Sequence, residues 1–205
     1  MNINEAIRSI IRLSEEVKEI PFPQLVKATT GFSVLPLDLN SEKDKFLFET
    51  ITASATNFVK LCERSKRRFR GERINEVGRA VENEFVQELK KTSLRPELLG
   101  KAGYPDIKIV DPYGRITYLE CKTISKEWDS SFRAFYYTEG SKITSDARHL
   151  LIGWGVVEER DKYWRVLGWK LSDLYYLKIK LKAEFNASYA DLYEKHLVLS
   201  EYFVK

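Results

Sequence analysis

Apolar residues recur at helical spacing through the first 65 residues and change to a period of two beyond Gly103, which predicts a helical lead-in followed by a mixed α/β core. Ile3, Ile7, Ile10, Ile11 and Val17 lie on one helical face, so residues 3–18 are expected to form an amphipathic helix, closed by Pro21 and Pro23. A short helix over Pro23–Thr30 ends at Gly31, and Phe32–Leu39 is extended. Ser41 with Asp44 three residues later reads as a capping box opening a long helix to about Arg64, with Phe48, Ile51, Ala55, Phe58 and Cys62 as its buried stripe. Ile74, Val77, Val81, Phe85 and Leu89 predict a further helix. Gly78 interrupts it at about 1 kcal/mol relative to alanine, which points to a close approach at that turn.

In the second part, Tyr104–Val110 and Ile116–Lys122 read as strands joined by the turn chemistry of Asp111-Pro112-Tyr113-Gly114. Thr123–Arg148 reads as irregular or partly helical, His149–Val157 as an apolar strand, Glu158–Lys162 as a polar turn and Tyr163–Lys170 as another strand. Residues 176–185 alternate strictly, which fits a half-exposed strand, with a helix beginning at Ser172 as the competing reading. Ala190–Phe203 reads as a terminal helix. No repeat, low-complexity tract or Gly/Ser linker appears, so residues 1–70 are expected to be a helical region packed on a core of residues 71–205.

Composition narrows the chemistry. No apolar run approaches the roughly 20 residues of a membrane helix, and Glu5 and Arg8 inside the first apolar pattern exclude a signal peptide, so no membrane association and a cytoplasmic location are expected. Cys62 and Cys121 give no disulfide framework, and with His149 and His196 they make no zinc cluster. The net charge of +4 and pI near 8.9 lean towards a polyanionic partner. Between Lys60 and Arg73, Lys60, Arg64, Lys66, Arg67, Arg68, Arg70 and Arg73 stand against Glu63 and Glu72. The segment is either a solvated turn or a contact to phosphates, with Arg67 and Arg68 at its centre.

The informative place is the hairpin. Closed by a five-residue loop, 111–115, it sets Asp106 opposite Glu120 with Lys122 on the same face, and turns Pro105, Ile107, Ile109, Leu119 and Cys121 to the other, apolar face. A loop one residue shorter scatters the three charges, so the polarity pattern selects this register. Two carboxylates about 5 Å apart repel each other, and a hard divalent cation such as Mg²⁺ is the natural relief. Lys122 beside them supplies a cation to orient a water and stabilise developing charge. The alternative is a plain cross-strand salt-bridge cluster.

Pro105-Asp106, Glu120-Cys121-Lys122 and the upstream helix with Gly78-Arg79-Ala80-Val81-Glu82 together resemble the PD-(D/E)XK nuclease superfamily, which includes type II restriction endonucleases and Holliday-junction resolvases. The resemblance implies a restriction-endonuclease-like mixed β-sheet flanked by helices, here with an N-terminal helical extension. It implies Asp106 and Glu120 as metal ligands, Lys122 as the catalytic lysine, the Cys121 backbone carbonyl as a further ligand, and Glu82 as a carboxylate supporting the metal directly or through water. The expected activity is Mg²⁺-dependent hydrolysis of double-stranded DNA, with Mn²⁺ as a substitute, by a type II restriction endonuclease. A junction-specific nuclease and a non-catalytic DNA-binding module are the alternatives. One metal site cuts one strand, so cutting both implies a homodimer on a palindromic site. The Cys121 side chain is expected in the core as a small hydrophobe, without the adjacent base a nucleophile needs. His149 reads as structural. Arg133, Lys142 and Arg148, interleaved with aromatic residues in the segment 125–148, are candidate base readers, and Lys180 a backbone contact.

Overall fold

The computed structural model describes residues 2–16, 19–100, 103–125 and 142–180. They fall in two compact units, Met1–Ile20 with Ile179–Lys205, and Pro21–Lys178. In the first, α1 (Ile3–Glu16) realises the predicted N-terminal helix, with Ile3, Ile10 and Leu13 exposed. Short strands β1 (Ile20–Pro21) and β9 (Lys178–Ile179) lie where the second unit begins and ends. Arg133, the aromatic residues around it and the proposed terminal helix lie outside the described residues. Among those described, no helix is long and apolar enough to cross a membrane.

The second unit opens with α2 (Phe22–Thr30), which has proline in its first turn and ends at Gly31, in the left-handed conformation with φ 78°. The short β2 (Val34–Leu35) leads to α3 (Glu42–Arg64), whose bounds match the expectation. Its capping box does not form. Ser41 makes no side-chain cap, and Asp44 turns inward to accept from the Asp38 N–H and pair with Arg115 and Arg148. Two guanidiniums outweigh a single backbone donor. Leu47, rather than Phe48, completes the buried stripe.

After β3 (Phe69–Arg70) and α4 (Ile74–Leu89) come β4 (Arg95–Leu98), β5 (Ile107–Val110), β6 (Ile116–Ser125), β7 (Ala147–Glu158) and β8 (Tyr163–Asp173). They form a mixed sheet in the order β3-β8-β7-β6-β5-β4, with β2 beside β7. β6 and β7 are parallel and central; β5 and β6 are antiparallel, with Val110 opposite Ile116 and Ile107 opposite Leu119. That is the predicted five-residue loop, and continuing its register brings Asp106 level with Glu120. Asp111 closes the turn by accepting from the N–H groups of Tyr113 and Arg115.

Several boundaries differ from the sequence reading, and of the strand expected over 176–185 only Lys178–Ile179 is a strand among the described residues. Tyr104–Asp106 precede the strand, Thr123–Ser125 continue β6, and Ser172 lies inside β8, so no helix begins there. Asp173 instead caps the short turn Leu174–Tyr176 through the Tyr175 N–H. Parallel pairing with the long β7 explains the extension of β6, because Thr123, Ile124 and Ser125 are held opposite Trp154, Gly155 and Val156.

On one face of the sheet α3 covers β8 and α4 covers β6. Phe58 and Phe85 meet Trp154 edge-on at 5.2 and 4.8 Å between ring centres, at the middle of this core. Each buried ring contributes about 1.5–3 kcal/mol of transfer free energy. On the other face Phe22, Tyr104 and Tyr118 surround His149, which is fully buried and bonded through Nδ1 to the Tyr104 hydroxyl at 2.6 Å. Burial pushes this imidazole down to about 3, so it stays neutral, in keeping with a structural role.

Gly78 marks the point where α4 meets β6. A Cβ there lies 2.9 Å from Thr123 Oγ1, whose hydroxyl donates to the Ile74 carbonyl at 3.2 Å. Thr123 is short and stiff at χ1, so the clash falls on the helix–strand contact. Gly78→Ala is therefore expected to lower the melting temperature although alanine is the better helix former by about 1 kcal/mol, and Thr123→Ala in that background to recover it. A single variant as stable as the parent would mean that α4 has room to move away.

Candidate metal centre

Alternation along β6 puts Leu119, Cys121 and Thr123 towards α4 and Tyr118, Glu120 and Lys122 on the opposite face. Glu120 is 2% exposed. One of its oxygens is bonded by the Lys122 ammonium, while Oε2 is buried without a hydrogen-bond partner. Asp106 sits in the bend before β5, freed from strand alternation, and its Oδ2 accepts the Cys121 N–H at 2.8 Å. Glu82, one turn of α4 beyond Gly78, reaches the same place: carboxylate oxygens of Glu82 and Asp106 and the Cys121 sulfur lie within 4.8 Å of one another. The close packing permitted by Gly78 brings α4 near enough for this.

Electrostatics confirm the crowding. Burial, and then the Asp106 charge, raise Glu82 to about 7, against the opposing pull of Lys122, Lys142 and Arg79. Burial, followed by Asp106, raises Glu120 to about 7, with Lys122 opposing. A proton on Glu120 also gives it a hydrogen bond to share with Asp106, which relieves the orphaned oxygen. The Cys121 thiol is pushed well up by burial and then by Glu82, Asp106 and Glu120. This agrees with its expected inertness as a nucleophile, but its place is different from that expected: the sulfur packs against the core and also borders the carboxylates.

Glu82 and Asp106 meet beside Cys121, and Glu120 lies under the charge of the same Asp106; with two of these carboxyls kept protonated towards neutral pH, they make a donor set suited to a hard divalent cation. The linkage has a definite sign. Between the ordinary carboxylate pKa and about 7 the native centre holds protons that the unfolded chain has released, so stability of the metal-free protein falls as pH rises through that window. Two results are expected: Mg²⁺ raises the melting temperature more at pH 8 than at pH 5, and its binding near pH 7 releases protons, seen as a dependence of calorimetric heat on buffer ionisation enthalpy. Equal Mg²⁺ effects at both pH values would detach these carboxyls from cation binding.

The basic candidates meet different fates. Arg67 pairs with Glu84 and Arg68 with Glu159, so the two charges of the basic segment are balanced by acidic neighbours. Arg148, expected as a base reader, is partly buried and has its guanidinium bound to buried Asp44 at 2.8 Å. Lys142, expected beside it as a base reader, is 8% exposed and donates to backbone carbonyls of Gly103 and Pro105. Lys180 is exposed. The sequence offered no sign that Lys142 lies against the Asp106 segment or that Arg115 joins Asp44, Asp111 and Arg148 in one network.

A family model for the MjaV type II restriction enzymes matches residues 13–196. The curated type II restriction enzyme MjaV of Methanocaldococcus jannaschii is 31% identical over 220 aligned positions, covering 96% of this chain and 95% of the relative. No solved structure matches the chain.

Proposed function

The chain belongs to the MjaV family of type II restriction enzymes, and from that membership and its acidic centre we propose that it is a Mg²⁺-dependent endonuclease that hydrolyses phosphodiesters of double-stranded DNA at a specific sequence. The observation that carries this reading is the approach of Glu82 and Asp106 beside Cys121, with Glu120, bonded by Lys122, under the charge of the same Asp106.

Asp106 and Glu120 would hold the cation, with Glu82 as an added carboxylate and the Cys121 carbonyl as a further ligand. When bound, Mg²⁺, or Mn²⁺ in its place, supplies charge neutralisation at the phosphate and acidity to a water. The protein's own parts set the geometry. The Cys121 N–H fixes one Asp106 oxygen, and Lys122 holds Glu120 while its side chain, about one quarter exposed, is placed to meet a phosphate oxygen or orient a water. Cys121 takes no covalent part, because its thiol stays protonated. A homodimer would cut both strands of a palindromic site.

The test is purified protein with Mg²⁺ on plasmid DNA, with the fragment ends sequenced, beside a four-way junction. Discrete ends sharing one sequence support this reading. Cleavage of the junction alone would favour a structure-specific nuclease, and specific binding without cleavage in Mg²⁺ or Mn²⁺ a non-catalytic module.

A further inference from the structure

We propose that Lys142 is a positioning residue for the metal centre, holding the backbone that leads into Asp106. This rests on the reading of Asp106 as a metal ligand. The Lys142 ammonium donates to the carbonyl of Gly103 and, at 2.9 Å, to that of Pro105, which flank Tyr104 immediately ahead of Asp106. Tyr104 is itself fixed in the core by its bond to His149. The bend is therefore gripped at its backbone by Lys142, at its side chain by His149 and at the Asp106 carboxylate by the Cys121 N–H.

A neutral donor would serve if only the loop needed holding. Burying an ammonium costs several kcal/mol unless negative charge lies near, and two carbonyl dipoles offset only part of that. Glu82 of the acidic centre lies near enough to feel the Lys142 charge. Lys142 thus acts electrostatically on the centre and grips its supporting backbone. Asp106 stands one residue before β5, its carbonyl accepting the Leu99 N–H at 2.9 Å, so the backbone just ahead of it, 103–105, is the part that Lys142 must hold. Without the ammonium, the 103–105 backbone loses two anchors and the Asp106 carboxylate is less often in place when a cation arrives. Partners that orient a ligand in this way are worth roughly 10–100-fold in metal affinity or activity.

The experiment compares the parent with Lys142→Met, Lys142→Arg and Asp106→Asn, measuring Mn²⁺ binding to the protein by calorimetry and cleavage rate against Mg²⁺ concentration. Lys142→Met is expected to weaken Mn²⁺ binding about tenfold and raise the Mg²⁺ needed for half-maximal cleavage by a similar factor, with the rate at saturating Mg²⁺ within about threefold of the parent. Lys142→Arg should restore part of the affinity. Unchanged metal affinity in Lys142→Met, or a lost saturating rate without a change in affinity, overturns the proposal while an inactive Asp106→Asn leaves the metal centre standing. An active Asp106→Asn overturns both. Should Lys142→Met fail to fold, Lys142→Gln is read by the same two titrations, with the same outcomes.

Discussion

Asp106→Asn and Glu120→Gln are each expected to lower the rate of DNA cleavage at least about 10³-fold while leaving the protein folded. A cation that neutralises the phosphate and acidifies a water supplies several kcal/mol of transition-state stabilisation, and each 1.36 kcal/mol lost is tenfold in rate. Each replacement removes one negative ligand and little volume. For Glu120 the fold has a reason not to suffer: its carboxyl is already costly to ionise there, and glutamine keeps the volume while offering an N–H to Asp106. Loss of activity should thus come with little loss in melting temperature, and with weaker metal binding by calorimetry. Near-parental cutting by either variant, at equal folded concentration, would remove that carboxylate from the centre.

Asp44→Ala is expected to cost about 3–5 kcal/mol of folding stability, the penalty for stranding buried charge. Asp44 is 1% exposed and lies between Arg115 and Arg148, while Arg115 also bonds Asp111 and the Lys43 carbonyl. Removal takes the Asp44 carboxylate from both largely buried guanidiniums and leaves Asp111 to Arg115. Arg148→Ala should cost less, since Asp44 keeps Arg115. Burial works to raise the Asp44 carboxyl, but the Asp38 N–H, Arg148 and Arg115 together hold it below its ordinary value. Its stabilisation is therefore full above the unfolded pKa of about 3.8 and is lost as pH falls through the lower native value. Urea denaturation at pH 7 measures the difference; a change under about 1 kcal/mol would mean that water or another group replaces the carboxylate. This network also explains why Arg148 cannot be judged from its place in a basic and aromatic segment.

Patterns that depend on near neighbours were legible in the chain. The apolar stripe of α4, the proline entry and glycine exit of α2, and the parity that selects a five-residue hairpin loop all follow from local geometry, and the structure realises each of them. The same parity put Lys122 on the Glu120 face, and Gly78 announced a close contact before Thr123 could be named as its partner, whereas the Asp106 carboxylate, expected away from Cys121, lies beside its sulfur. The chain alone thus determined the α/β class and the hairpin, and its resemblance to a nuclease superfamily pointed to the candidate carboxylates.

The tertiary structure decided which charges are occupied. Asp44 looked like a cap because its own helix supplies N–H groups nearby, yet Arg115 and Arg148 arrive from distant strands with full charges and win. Lys142 looked like a free cation in a basic segment until the Asp106 bend was found against it. The Cys121 sulfur borders carboxylates because Asp106, just outside its strand, escapes the alternation that governs its neighbours. Backbone periodicity is a local property and can be read from spacing, whereas the partner of a charge depends on burial and long-range approach, which no spacing in the sequence encodes.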